Sequence, residues 1–412
     1  MTTPRSRITA VFLAALVGSA LLGGYAPAVA ERLTLQCPAV VSDAPLALAV
    51  SRRANSSEAL SPVIEQVVAQ FVSGLPASDH GGPVVSVVNV DGRPEVLRDG
   101  AVSFVSDAKN SAALDDDRKK FVAAVSGIVG RVRAAHPEVD VIAALEQAAV
   151  AAGRDNGRGT LVFSDSGLST TGALNFTQPG LLEAPPAEVI AFLEREHALP
   201  NLKGLSVFLV LEPVEPPQAD LGHYRANVKD LLQMIAEKGG AACVEVIEEP
   251  ATASGPHLDH LPPVSLVPVP QAAVFSAPCS GVLYDTGDVG FNPGLATFIE
   301  PAKAHAVLEP VGRALHDRTC NRIVLTGTTA RDGSLAYQRN LARQRAEAVK
   351  KVLVTEDGAD PASIETVGLG SYFTEYQPDN DPHDGLWPGP AQLNRTVRID
   401  PCTPTCPSHE LK

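Results

Sequence analysis

One arginine stands where an apolar side chain belongs. Arg345 lies four residues after Leu341 and four before Val349, on the apolar stripe of a segment whose spacing predicts a helix. An Arg on such a stripe either runs its charge out to water or meets a carboxylate, and its planar fork suits a carboxylate held through two N–H groups. Upstream lies a polar loop, Gly327-Thr328-Thr329-Ala330-Arg331-Asp332-Gly333, and downstream comes Asn394-Arg395-Thr396-Val397. In that loop Asp332-Gly333 reads as a plain turn. The catalytic inventory is thin. There is no G-x-S-x-G nucleophile turn and no HExxH, and His80, His257 and His260 fall in loop or Pro-rich sequence. No enzyme activity and no cofactor are expected.

The elements that must position these residues can be read from periodicity. VLYDTGDVGFNP is an apolar start followed by a Gly-rich turn. A helix is predicted from about Phe298 to His316, and a strand over Asn321–Thr329. The helix SLAYQRNLARQRAEAVKKVLV carries Leu341, Val349, Val352 and Leu353 on one stripe. A strand lies within ASIETVGLGS, and NRTVRID (Asn394–Asp400) is the last. The order β-α-β-α-β-β gives an α+β sandwich with two helices on one face of a small sheet.

This order and wording resemble the OmpA-like domain, whose pocket pattern runs G-H-T-D-x-x-G, then L-S-x-x-R-A, then N-R-R-V. Gly327, Thr329, Gly333, Leu341, Arg345 and Ala346 fall in register, and the likeness covers roughly 120 residues. It implies an α+β fold and binding of the diaminopimelate tip of the peptidoglycan stem peptide. That tip ends in a carboxylate and an ammonium on one carbon, so it calls for a cation and an anion side by side. The resemblance gives Arg345 the carboxylate, assisted by Asn394, Arg395, Thr329 and Asp332. The family's Asp is Ala330 here, its His is Thr328, its Asn aligns with Gln338, and the second Arg of N-R-R-V is Thr396. Asp332 or Asp285 can supply the missing negative charge.

The first body, 31–248, alternates apolar strands with helices. Strands are expected at Pro45–Val50, Pro83–Val90, Thr160–Asp165, Leu205–Leu211 and Ala242–Glu248. Helices are expected over Leu60–Phe71, near Leu114–Ala135, Val139–Ala152, Pro186–His197 and Tyr224–Glu237. The pattern is that of a doubly wound α/β sheet. Within that class it resembles a von Willebrand factor A domain, but Ser51-Arg52-Arg53-Ala54-Asn55 stands where that family places D-x-S-x-S. Val139 stands at its Thr, and Asp165 remains. A divalent cation wants several oxygen ligands with carboxylate charge, and two arginines repel it, so no metal is expected.

Arg5 and Arg7, an apolar run from Ile8 to Gly24, and Ala28 and Ala30 ahead of Glu31 have the layout of a secretory signal peptide over 1–30; the alternative is a retained membrane anchor. Either way the protein is expected outside the cytoplasmic membrane, wall-associated or anchored to the membrane's outer face. A net charge of -14 argues against nucleic acid as a partner. Export permits disulfides. Cys279 and Cys320 are expected to pair from position, Cys402 and Cys406 can close a small tail loop, and Cys37 and Cys243 can join the ends of the first body. A Pro-rich linker, 249–271, separates that body from the OmpA-like domain, 272–400, which a tail, 401–412, follows. The whole reads as a non-catalytic envelope protein tethered to peptidoglycan, with a protein partner for its first domain. The alternative is a scaffold for protein contacts in which both ancestral sites have decayed. Excess magnesium or EDTA should leave the melting temperature of the first domain unchanged, because a bound ion would add RT ln(1 + [L]/Kd) of stability. A metal-dependent upward shift would overturn the absence of a metal site.

Overall fold

All five residues of β1 (Leu46–Val50) are buried. The two-residue period of a strand divides them: Leu46, Leu48 and Val50 join one core, Ala47 and Ala49 another. Such a strand belongs in the middle of a sheet with helices on both faces. The computed structural model describes residues 37, 40, 42–53, 61–214, 216–249, 260–380 and 385–410. The expected signal segment, 1–30, lies outside the described residues, as do 250–259 of the Pro-rich stretch.

Around β1 the chain adds α1 (Pro62–Ser73), β2 (Val84–Asn89), β3 (Glu95–Ser103), α2 (Ser111–Val129) and α3 (Val141–Ala151). There follow β4 (Thr160–Asp165), α4 (Pro186–Arg195), β5 (Ser206–Leu211), α5 (Tyr224–Lys238) and β6 (Cys243–Glu248). The sheet order is β3-β2-β1-β4-β5-β6, parallel except at the β2–β3 edge. Helices α1 and α2 cover one face; α3, α4 and α5 cover the other. This is a doubly wound α/β sheet. Two expectations shift. Helix α2 stops at Val129, capped by Gly130, rather than running to Ala135. Strand β3 was not foreseen, because its Arg98-Asp99-Gly100 centre breaks the apolar alternation and only an edge position tolerates that.

The second sheet follows from β7 (Ala273–Ala277), β8 (Ser280–Tyr284), α6 (Pro301–His316), β9 (Ile323–Thr328), α7 (Leu335–Thr355), β10 (Ile364–Gly370), α8 (Pro388–Leu393) and β11 (Thr396–Pro401). Its order is β10-β9-β11-β8-β7, with only β9–β10 parallel. Leu308 and Val311 of α6 and Val349 and Leu353 of α7 share one core with Ile323, Leu325, Val397 and Ile399 of the sheet. Helix α6 begins at Pro301 rather than Phe298, because Phe298 bridges Phe291 with the two rings stacked at 4.5 Å. Gly327 and Gly368 set the approach of α7: a Cβ at either would collide with the helix backbone at Ala342 and Arg339.

Three disulfides tie the chain: Cys37–Cys243, Cys279–Cys320 and Cys402–Cys406. Cys279–Cys320 joins the β7–β8 turn to the α6–β9 connection, and chain-entropy estimates give such a loop about 4 kcal/mol. The described half of the Pro-rich stretch has no helix or strand, yet it is not a free spacer. Val264, Val267 and Val269 pack on the first core, and the Gln218 amide brackets Val267, accepting from its N–H at 2.8 Å and donating to its carbonyl at 2.9 Å.

At the carboxyl ends of β1, β4 and β5, four charged side chains are buried together. Arg53 ion-pairs with Asp165 and donates to Ser51 Oγ at 2.9 Å and Ser166 Oγ at 2.8 Å. Arg52 lies 3.7 Å from Glu212, whose other oxygen accepts from Ser164 Oγ. The guanidinium of Arg53 thus fills the place between β1 and β4 where strand order reverses and an open α/β sheet usually holds a ligand. Among the described residues no group of three or more His, Cys, Asp or Glu is arranged to hold a metal ion. Replacing Arg53 by Ala strands Asp165, which is fully buried. The variant should lose about 3–5 kcal/mol, read as a lower urea midpoint at unchanged slope. Stability within 1 kcal/mol of wild type would refute this account of the cluster.

Candidate functional site

Arg345 sits three turns into α7, whose first turn is capped by Ser334 accepting from Tyr337 N at 3.2 Å. The close approach of α7 to β9 and β10 holds its guanidinium against the sheet ends, 5% exposed. There Nη1 meets Asp285 Oδ2 at 2.7 Å, Nε donates to the Leu295 carbonyl at 3.1 Å, and the Phe291 ring lies 5.0 Å away. Burial pulls the Arg345 pKa below the usual arginine value, and the Asp285 charge opposes that shift. Asp285 follows β8 directly and is fixed by Phe291 N, which donates to its other oxygen at 2.7 Å. Gln392 of α8 donates to the Asp285 carbonyl and accepts from Arg395 Nη1 at 3.0 Å.

This cluster lines a cavity of about 330 Å³ whose opposite wall comes from the first sheet's domain. Glu188 on α4 pairs with Arg395 at 2.6 Å. Glu183, His223 and Tyr224 complete that wall. The two domains approach closely here: a Cβ on Gly287 would lie 2.6 Å from His223 Nε2, and one on Gly180 would collide with the Gly389 carbonyl. Three lining polar atoms are buried without a hydrogen-bond partner: Thr329 Oγ1, Glu183 Oε2 and Glu188 Oε2.

Of the residues singled out from the sequence, Arg345, Arg395, Thr329 and Asp332 line the cavity, as does Ala330. Asn394 stands apart: its amide exchanges hydrogen bonds with the Gln377 backbone and donates to Asp379, so it clamps the 376–379 loop. Asp332 is exposed, and Asp285 is the acid that reaches Arg345. Glu183 and Glu188 carried no sequence signal, since only the docking of two distant segments brings them here.

Residues 290–384 match the model of the OmpA family. No curated protein matches the chain. Similar solved structures include the OmpA-like domain of FopA1 from Francisella tularensis, at 19% identity over 33% of this chain and 77% of that one, TM-score 0.22. The peptidoglycan-associated lipoprotein from Burkholderia pseudomallei is 22% identical over 29% of this chain and 86% of that one, TM-score 0.22. The periplasmic domain of Helicobacter pylori MotB is 20% identical over 29% and 72%, TM-score 0.22.

Burial pushes the Glu183 carboxyl up to about 7 from an ordinary 4.5. A carboxyl whose pKa is raised by folding contributes stability that is full below its unfolded value and lost as pH rises through the folded one. Between pH 4 and pH 8 the wild type should therefore lose about 2–3 kcal/mol relative to Glu183→Gln. Parallel pH–stability curves for the two proteins would show that the carboxyl is not raised.

Proposed function

We propose that this chain, whose C-terminal part is an OmpA-like domain, is a non-catalytic tether to peptidoglycan, placed outside the cytoplasmic membrane. The pocket takes the diaminopimelate tip of the stem peptide. The observation that carries the reading is the Arg345–Asp285 pair on the cavity wall, a cation and an anion side by side in a partly desolvated site. A zwitterionic amino-acid end needs that pairing of charges. Its carboxylate would take N–H groups of Arg345, and the buried, unpaired Thr329 Oγ1 offers a further polar contact. Arg395 adds a second cation on the lining, and Asn394 acts behind the pocket through Asp379, which accepts from Arg331 N beside Ala330.

The first domain is read as a doubly wound platform of the von Willebrand factor A type for a protein partner, with its strand-end crevice filled by Arg53. The layout of 1–30 supports export, and among the described residues no helix is long and apolar enough to cross a membrane. A second reading is a protein-contact scaffold whose ancestral sites have decayed. It is favoured by Ala330 and by the fact that Arg345 already has a carboxylate partner.

Co-sedimentation with diaminopimelate-containing peptidoglycan, against a lysine-type wall, separates the two. Arg345→Ala should weaken binding by roughly 2–5 kcal/mol, the range for removing one member of a hydrogen-bonded charge pair. That change also strands Asp285, so Arg345→Lys serves as the folded control: it keeps the charge, loses the fork and should bind about 10-fold more weakly. Wall binding indifferent to both substitutions would place the contact elsewhere and leave the scaffold reading.

A further inference from the structure

The cavity carries more carboxylate than its arginines balance. Asp285 is paired with Arg345, and one oxygen of Glu188 with Arg395. The other Glu188 oxygen and Oε2 of Glu183 are buried without a partner, and so is Thr329 Oγ1. A buried acceptor with no donor is unfavourable, and folded proteins keep few of them. Two such carboxylate oxygens, with the Thr329 hydroxyl beside them, around one cavity of about 330 Å³ mark the place of a donor that arrives from outside. The volume is ample for the end of an amino-acid side chain. The matching donor is positive, compact and rich in N–H, which describes an ammonium group. Burial holds the Glu183 carboxyl near 7, so close to neutral pH an arriving cation would complete its ionisation.

We infer that the first domain completes the pocket: Glu183 and Glu188 form its anionic wall and seat the ammonium group of the ligand, in place of the carboxylate absent at Ala330. The inference rests on the cavity being the wall-binding site proposed above, with the ligand's carboxylate on Arg345. It makes the site a composite of two domains. The glutamates stand on and just before α4, a helix of the doubly wound sheet, while the arginines come from the second domain. Ala330 is buried and lines the same cavity. An acid there would meet two half-satisfied carboxylates across the cavity and tend to stay protonated, so the small apolar residue suits the composite arrangement.

The test is calorimetric titration of the full chain with meso-diaminopimelate and with pimelate, which keeps both carboxylates and lacks the ammonium groups. The wild type should prefer diaminopimelate by roughly 10–100-fold, the worth of one charged hydrogen-bond contact. The double variant Glu183→Gln/Glu188→Gln should lose that preference and bind pimelate at least as tightly as the wild type, since neither change touches Arg345 and the loss of the Glu188 charge frees Arg395. Adding Ala330→Asp to the double variant should restore the preference. Melting curves report folding, which the isosteric amides should preserve. Unchanged discrimination in the double variant overturns the inference, as does tighter binding of diaminopimelate, which would make the glutamates a lid that competes with ligand. A wild type that sediments with the wall but does not discriminate the two ligands also overturns it and leaves the tether reading standing. A wild type that binds neither wall nor diaminopimelate removes the reading on which it rests.

Discussion

A guanidinium withdrawn from water has to be met by a carboxylate, and each half of this molecule is arranged around one such pair. In the first domain Arg53 and Asp165 are both almost fully buried, and Arg53 also donates to Ser51 and Ser166. The pair occupies the crevice between β1 and β4, so the place where a doubly wound sheet would ordinarily take a ligand is filled by the chain itself. In the second domain Arg345 is held just as firmly by Asp285, the Leu295 carbonyl and the Phe291 ring, but beside an open cavity. The same requirement fills one crevice and leaves the other pair on a cavity wall.

The position of Asp285 depends on more than its own strand. Phe291 N fixes one of its oxygens, and Gln392 holds its carbonyl while also receiving Arg395. Arg395 then reaches Glu188 on α4, in the other domain. The ion pair of the pocket is thus linked, hydrogen bond by hydrogen bond, to the docking of the two sheets. The Pro-rich stretch reinforces that docking, because its described half lies along the first core under the Gln218 amide rather than free in solvent. A pocket built this way is preorganised on rigid elements, which reduces the entropy lost on binding.

Much of this was legible in the sequence, and the reasons differ by element. β1 and β4 are uninterrupted apolar runs, a signal that survives without any partner, and both sit in the middle of their sheet. Arg345 declared itself by breaking the apolar stripe of α7. Strands β3 and β7 gave no comparable signal, because an edge strand needs apolar residues on one face at most. The short helix α8 was hidden within Pro388 and Pro390, where composition alone suggests a loop. Asn394 is a ligand-binding candidate through the resemblance to the N-R-R-V pattern, yet its amide is consumed by the Gln377 backbone and Asp379. Side-chain type and spacing indicate that a residue has work to do; they do not say whether the partner is a ligand or the protein's own loop.

Glu183 and Glu188 show the deeper limit. They lie more than a hundred residues before Arg345, on a surface that reads as ordinary amphipathic helix and turn, and only interdomain packing gives them a common cavity with Ala330. Charge around that cavity is therefore a property of the pair of domains. Four acids, Glu183, Glu188, Asp285 and Asp332, face two arginines, Arg345 and Arg395. Carboxylates crowded in a poorly solvated site raise one another's pKa, so a fifth acid at position 330 would itself tend to stay protonated and contribute little charge. With the first domain docked, the wall is already acidic, and the alanine reads as the consequence of that docking rather than as a gap in the site.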